Sequence, residues 1–209
     1  MKRILLIVLA MALVPVSAFA VDGVVLINQS TVMAAGGFPY IISQPGSYKL
    51  SGNLAMTTTT PGNYHGVDTA LVIASSNVVL DLNGFTISVT NTFSNLTHLT
   101  FAILTGGTYS RISIRNGTIV VGGVFPHFDF NGIDLDADHT VLENLSVFIS
   151  DGTGVTILTG VSSLVRHNVL TAPLGGNSQF RCPSLLVENV GLNYPTLLGG
   201  TCLLVNNVN

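Results

Sequence analysis

The sequence predicts an all-β protein whose chain winds into a β-solenoid with coils of about 18–32 residues. Three observations predict this fold. Short runs of Val, Ile, Leu and Thr alternate with polar residues and end at clusters of Gly, Asn and Ser, which is typical of β-strands. No long stretch after the N-terminus has the periodicity of a helix. Two short motifs recur in alternation from Ala102 to the C-terminus.

The two motifs define the repeat. The first is a small residue followed by an alternating strand, at positions 70–73, 102–105, 132–135 and 154–157. The second is an apolar residue, then a polar residue, then usually Asn, and it starts at Ile114, Leu142, Val165, Val187 and Val205. Successive copies of the second motif are about 18 to 28 residues apart, so each predicted coil carries one copy of each motif.

Stacking of the coils explains how such a chain acquires a core. Coils are expected about 4.8 Å apart, which is the spacing of strands in a sheet. The two rows expected in the interior are Ile103, Ile133 and Val155, and Ile114, Leu142 and Val165. The competing fold is an antiparallel sandwich, which requires hairpin turns such as Asn-Gly between paired runs. The Asn-Gly pairs here lie at strand ends or before strands, which favours the solenoid.

The first twenty residues are predicted to be a secretory signal peptide. Lys2 and Arg3 form a positive region, the apolar run Ile4–Val16 is too short to span a bilayer, and Ala18-Phe19-Ala20 is a cleavage site of the A-x-A type. We expect cleavage after Ala20 and no membrane span in the mature chain. The alternative is an uncleaved membrane anchor. An exported protein is therefore expected, either secreted or held in the periplasm or at the cell surface.

The composition limits the kinds of binding partner that can be expected. Charged residues make up 8% of the chain and the formal net charge is −3, so no basic surface is expected for nucleic acid. The two cysteines, Cys182 and Cys202, are candidates for a disulfide in an exported chain. The alternative is two small buried residues in neighbouring coils.

Three segments resemble a known family. They are "PGSYKLSGNL" (Pro45–Leu54), "NVVLDLNGFTIS" (Asn77–Ser88) and "RISIRNGTIV" (Arg111–Val120). With these segments the chain resembles exported bacterial right-handed parallel β-helix proteins, which are related in fold to pectate lyases. The resemblance implies a single-stranded right-handed parallel β-helix, with an N-terminal cap over residues 21–54 and coils over 55–209. Some proteins of this kind cleave or bind polysaccharides.

Two polar rows are expected on the outside of the stack. The polar residue of the second motif points away from the core, and down the stack it is Arg115, Glu143, Arg166, Glu188 and Asn206. Opposite charges on adjacent strands indicate a structural ladder of ion pairs. The next position is Asn116, Asn144, His167, Asn189 and Asn207, and we expect these side chains to bond along the axis.

The long connections are the expected place for a binding site. Three of them, near residues 55–68, 89–100 and 121–131, leave the same edge of adjacent coils, and loops on a rigid solenoid commonly carry binding. The histidine and aspartate residues in them are His65, Asp68, His98, His127 and Asp129. Such a group is suited to binding a divalent metal or to acid–base chemistry. The alternative is a set of solvated loop residues that do not meet.

Two further segments carry candidate groups. Phe125 and Phe128 are suited to stacking on sugar faces, or else they fold their loop back onto the solenoid. The acidic stretch "DLDAD", residues 134–138, is either a solvated face or part of a Ca²⁺ site. It lacks a complete Ca²⁺-loop signature.

Function is less strongly indicated than fold. No adjacent pair of acids, nucleophile elbow or lyase pattern is present, which favours a non-catalytic surface or glycan-binding protein. The expected partner is a polysaccharide or a cell-surface glycan. The alternative is a polysaccharide lyase or glycoside hydrolase with its site in the long N-terminal loops. End-to-end self-association through an exposed last coil is a third expectation.

Overall fold

The computed structural model describes residues 23–58, 62–92, 99–123, 130–150, 155–172, 177–191 and 195–208. In chain order the elements are β1 (Val24–Ile27), α1 (Gln29–Ala34), β2 (Tyr40–Ile42), β3 (Gly46–Leu50), β4 (Leu54–Thr58), β5 (Asp68–Ile73), β6 (Val78–Asp81), β7 (Thr86–Asn91), β8 (Thr100–Thr105), β9 (Tyr109–Ser110), β10 (Ile112–Gly123), β11 (Phe130–Leu135), β12 (Ala137–Asp138), β13 (Val141–Ile149), β14 (Val155–Thr159), β15 (Leu164–Arg166), β16 (Val169–Thr171), β17 (Asn177–Arg181), β18 (Leu185–Val187), β19 (Thr196–Leu198) and β20 (Leu203–Val205).

The strands form long parallel sheets, and the fold is the predicted parallel β-helix. The larger sheet has eleven strands, with the main order β1-β3-β6-β10-β13-β15-β18-β20, and β4, β7 and β16 pair beside this path. The second sheet has seven strands in the order β19-β17-β14-β11-β8-β5-β2. Strand pairs in both sheets run parallel between successive coils, as in β10 with β13 and β11 with β8. The chain thus returns to the same sheet once per coil.

The interior is a stack of aliphatic rows. Ile114, Leu142 and Val165 are register partners on adjacent parallel strands, and all three are fully buried. This confirms the row that the second motif predicted. A second row, from the seven-stranded sheet, is Leu71, Ile103, Ile133 and Ile157. Burying each such side chain stabilises the folded state by roughly 1.5–3 kcal/mol relative to leaving it exposed.

The seven-stranded sheet corrects one expected partner. Ile133 pairs with Ile157, whereas the sequence motif predicted Val155. The two alternatives differ by two residues, and side chains of a strand repeat their facing every two residues. Alternation alone therefore fits either register equally well.

In the larger sheet, the register of the last two strands, β18 and β20, differs from the prediction. The core row continues from Val165 to Leu186 and Leu204, one residue before the positions predicted. Three consecutive apolar residues in β18 and in β20 leave no alternation to fix the register. The expectation that Glu188 continues the charge row of Arg166 is therefore wrong.

In most coils, a residue with a left-handed backbone conformation lies at the corner between the two strands of the larger sheet. The residues other than glycine with positive φ at this corner are Asn83, Asn116, Asn144, His167, Glu188 and Asn206. Asn tolerates this region better than other residues with a Cβ, which explains its recurrence. Glu188 belongs to this corner row, and its carboxylate lies 3.0 Å from His167 Nε2.

The N-terminal region joins the stack from its first described strand. β1 pairs with β3 in parallel, so residues of the expected cap already belong to the larger sheet. Helix α1 begins after Asn28, whose side chain accepts a hydrogen bond from Thr31 N. Val32 is the buried residue of this helix.

The coils shorten along the chain. Sequence separations between side chains bonded across neighbouring coils are 34 for Arg115 and Asp81, 28 for Asn144 and Asn116, and 23 for Arg166 and Glu143. They fall to 21 for His167 and Glu188 and to 18 at the next coil. The extra residues of the early coils lie in their long connections.

Candidate functional site

The three long connections leave one corner of the β-helix. Their first flanking residues, Thr58, Asn91 and Gly123, are register partners. Their second flanking residues, Asp68, Thr100 and Phe130, are also register partners. The roots of the loops are therefore stacked, as the sequence predicted. Five of the candidate residues, His98, His127, Asp129, Phe125 and Phe128, lie outside the described residues, and their role stays a prediction.

His65 lies at the exposed tip of a tight turn. Tyr64 and Val67 exchange two backbone hydrogen bonds of 3.0 and 2.9 Å, and both His65 and Gly66 between them have positive φ. The ring of Tyr64 meets that of His65 edge to face at 4.4 Å. The turn thus presents the imidazole to solvent.

Asp68 lies below the surface. It is fully buried at the start of β5, and its Oδ1 accepts a hydrogen bond of 2.9 Å from Gly62 N. Its burial contrasts with the exposure of His65 three residues earlier. The structure thus places one of these two candidates on the surface and the other beneath it.

A second polar group lies on the outward side of the seven-stranded sheet. We call it the acidic face and define it by Asp134, Asp136, Gln179 and Arg181. Asp134, Leu158 and Gln179 follow one another in register across three coils. Arg181 forms an ion pair with Asp136 at 2.5 Å although 45 residues separate them in sequence. The β-helix therefore brings together side chains from two coils that are not adjacent.

The two carboxyl groups of the acidic face differ in environment. Burial raises the pKa of Asp134, the negative charge of Asp136 raises it further, and Arg181 opposes both effects. About half of the Asp136 side chain is exposed, and its ionised form is paired with the Arg181 guanidinium. The face therefore combines a carboxyl group that retains its proton more readily with an ion pair open to solvent.

The third acid of "DLDAD" has another role. Asp138 Oδ1 accepts a hydrogen bond of 2.9 Å from Val161 N and so ties one turn to the next coil. The three acids of this stretch do not converge. Across the described residues, no group of three or more His, Cys, Asp or Glu is arranged to hold a metal ion.

Sequence reasoning found the acids but missed their partners. Gln179 and Arg181 lie in a segment from Ser178 that is only a weak copy of the first motif, and their relation to Asp134 and Asp136 depends on the register of β14 with β17, which is irregular. The one available signal was the presence of a single arginine near the last coils outside the second motif.

Cys182 and Cys202 form a disulfide with a Cα–Cα distance of 5.0 Å. Cys182 directly follows β17, and Cys202 lies between β19 and β20. The bridge therefore links two successive coils at the end of the described chain. It closes a loop of 20 residues in sequence separation.

The geometry defines the class as a parallel β-solenoid protein. No protein-family model matches the chain, and no curated protein or solved structure matches it either. Within the described part of the chain, no helix has the length and apolar character needed to cross a membrane.

Proposed function

We propose that this protein is an exported bacterial β-helix protein that binds a polysaccharide or cell-surface glycan through its acidic face, without chemical conversion. We also propose that it belongs to the pectate lyase-like superfamily, which the parallel β-helix and the three segments of similar sequence support. The observation that carries the proposal is the exposed Asp136–Arg181 pair beside the half-buried Asp134, on a face built from regularly spaced strands.

Sugar recognition fits the chemistry of this face. Hydroxyl groups both donate and accept hydrogen bonds, so they match carboxylates, amides and guanidinium groups together. Leu104 and Leu158 lie in register on either side of Asp134 and supply apolar surface between the polar groups. Strands repeat every ~4.8 Å along the axis, so an extended chain of sugars meets polar and apolar groups in alternation.

Export is supported by two features. The N-terminal sequence has the form of a signal peptide. The disulfide between Cys182 and Cys202 is of a kind that persists in oxidising compartments. N-terminal sequencing of the exported protein should begin at Val21, whereas recovery of the full-length chain in the membrane fraction would support an uncleaved anchor.

The binding test is a glycan array followed by titration with the polysaccharide that binds best. We expect the variants Arg181→Ala and Asp136→Asn to lower affinity about tenfold or more, which corresponds to about 1.4 kcal/mol per factor of ten. The matched control is Arg166→Ala, which removes an arginine paired with Glu143 in the larger sheet.

The results for these variants distinguish binding at the acidic face from a general effect of folding or net charge. Retained binding in Arg166→Ala with lost binding in Arg181→Ala supports the acidic face. Equal loss in both variants assigns the effect to folding or net charge. Absence of binding to every polysaccharide and cell-wall fraction would overturn the proposed function.

A second candidate function is glycoside hydrolysis at the same face. It is favoured by two carboxyl groups in different environments on one face, the half-buried Asp134, whose pKa is raised, and the exposed Asp136, which is paired with Arg181, because hydrolysis of this kind uses a pair of carboxyl groups with different roles. The test is release of reducing ends from a bound polysaccharide. Hydrolysis requires that Asp134→Asn abolish the release while binding persists. No release by the wild-type protein leaves binding alone.

A further inference from the structure

Two buried oxygen atoms lack a hydrogen-bond partner at the corner where the long connections start. They are Thr58 Oγ1 and Asp68 Oδ2, two of the four such side-chain atoms found in the described part of the chain. Thr58 is 6% exposed and Asp68 is 0% exposed. Buried polar atoms in folded proteins are nearly always bonded, so each of these requires an explanation.

The neighbouring coil shows how the two positions are arranged at this corner. Thr58 is the register partner of Asn91, and Asp68 is the register partner of Thr100. Asn91 Nδ2 donates a hydrogen bond of 3.0 Å to Thr100 Oγ1 across the corner. Because coils stack in register, Thr58 and Asp68 occupy the positions equivalent to this bonded pair one coil earlier.

In the third coil, an aromatic side chain fills this corner. Gly123 is the register partner of Asn91, and Phe130 is the register partner of Thr100. A Cβ atom at Gly123 would lie 2.8 Å from the tip of the Phe130 ring, so the glycine leaves room for that ring. The corner is thus closed by an aromatic ring in one coil, by a hydrogen bond in the next, and lined by two unpaired oxygens in the first.

The surroundings of Asp68 indicate which kind of ligand the two unpaired oxygens would bind. None of the ion pairs among the described residues includes Asp68, and the one hydrogen bond found there for its side chain comes from Gly62 N to the other oxygen, Oδ1. A buried carboxylate without a positive partner is costly. Carboxylate and hydroxyl oxygens are the ligands that hard cations prefer.

We propose that Thr58 Oγ1 and Asp68 Oδ2 are ligands of a bound hard cation, of the Ca²⁺ or Na⁺ class, at the root of the first long connection. The ion neutralises Asp68 and fixes the ends of β4 and β5 against each other. The site is separate from the acidic face, so it does not depend on glycan binding.

The test is thermal unfolding of the exported protein after treatment with a chelator, in CaCl₂, NaCl or choline chloride at equal ionic strength and without polysaccharide. An ion at about 100 times its Kd should raise the midpoint by several degrees above that in choline chloride. Asp68→Asn, which keeps the shape of the side chain, should remove the ion-dependent increase. Thr58→Val should reduce it.

Asp81→Asn is the matched control, because it removes an acid that is ion-paired with Arg115 elsewhere in the stack. This variant should keep the full response to the ion. An equal midpoint in all three salts for the wild-type protein would overturn the proposal. So would an equal response in Asp68→Asn and the wild type. If Asp68→Asn fails to fold, Thr58→Val gives the deciding measurement.

Discussion

The early and late coils of this β-helix are stabilised in different ways. The early coils, from β5 to β13, have long connections and contain most of the large buried apolar side chains, together with buried polar residues such as Asn91 and Thr100. The late coils, from β15 to β20, are shorter, with separations of 21 and 18 residues, and they bury amide and hydroxyl groups at their corners. Both halves bury polar side chains, but in the late coils these side chains form hydrogen-bonded ladders that run from coil to coil.

The late corner contains a ladder of asparagines. Asn168 and Asn189 are fully buried, and each donates from Nδ2 to the side-chain oxygen of the next asparagine, at 3.0 and 2.9 Å. Each also donates to a backbone oxygen, of Leu142 or Val165. Asn207 is the last member. All polar groups of the buried members are bonded, which is the condition for burying them at low cost.

Hydroxyl groups form a similar ladder at another corner. Thr140 Oγ1 and Ser163 Oγ lie 2.5 Å apart, and Ser163 N donates to Ser184 Oγ at 3.0 Å. One repeat is thus stabilised mainly by burial of large apolar side chains where coils are wide, and more by polar ladders from coil to coil where coils are narrow. The two halves should therefore respond differently to substitution.

The largest effect is expected in the apolar stack. Leu142→Ala removes a fully buried side chain between Ile114 and Val165 and should lower the free energy of unfolding by about 2–5 kcal/mol. Leu204→Ala is the matched control, because Leu204 is 43% exposed in the last described strand. Urea unfolding should give a loss several-fold smaller there. Equal losses would mean that association covers the last coil or that the row is not continuous.

The next effect is expected in the asparagine ladder. Asn189→Ala leaves the Asn168 amide and the Val165 carbonyl without their partners, and should cost roughly 3 kcal/mol. Asn207→Ala, at the half-exposed end, should cost less than half as much because water reaches that position. The comparison of halves fails if both asparagines prove equally dispensable in urea unfolding.

The disulfide is expected to contribute slightly less. Replacing both Cys182 and Cys202 by serine releases a loop of 20 residues in sequence separation and should cost about 2–3 kcal/mol. Reduction of the wild-type protein should lower stability by a similar amount, which serves as the control. Native-state hydrogen exchange should show the loss concentrated in β17 to β20. Uniform loss across β5 to β10 would mean that the two halves unfold as one unit.

A smaller effect is expected on the outer surface. Glu143→Gln breaks the ion pair of 2.9 Å with Arg166, whose side chain is 40% exposed, and should cost less than about 1 kcal/mol. The loss should shrink further at 1 M salt, where the Debye length is about 3 Å. A cost independent of salt would point to packing of the side chains in place of charge.

The sequence predicted this ion pair and much of the fold. Particular residues show why the register of other strands could not be predicted. Ile114, Leu142 and Val165 were placed correctly because polar and apolar residues alternate around them. Glu188 was misplaced because the run Leu185–Val187 has no such alternation. Local pattern fixes a register only where one face differs from the other.

The candidate site was harder to predict for a related reason. The common origin of the three long connections follows from spacing and was predictable. The burial of Asp68 was not, because it depends on which side of a corner the side chain enters. The contact of Arg181 with Asp136 depends on the summed lengths of two coils, including an irregular register, and no short motif carries that information.

The smallest and most specific effect is expected on the acidic face as pH changes. Because the pKa of Asp134 is raised above its ordinary value of 3.8, the folded state binds this proton more tightly than the unfolded state does. The free energy of unfolding contributed by this group therefore falls as pH rises from the ordinary value through the raised one, and is constant above it. Asn does not titrate, so Asp134→Asn should gain stability relative to the wild type across that acid interval.

Urea unfolding between pH 3 and pH 7 measures this difference. The gain of Asp134→Asn over the wild type should appear as pH rises and then level off. In an Asp136→Asn background the gain should be smaller, since the charge of Asp136 is the second cause of the raised pKa. A difference between Asp134→Asn and the wild type that stays constant with pH would show that Asp134 is ordinary in the folded protein. It would also remove the feature that distinguishes this face from the ion pairs of the opposite sheet, and with it the main support for hydrolysis there.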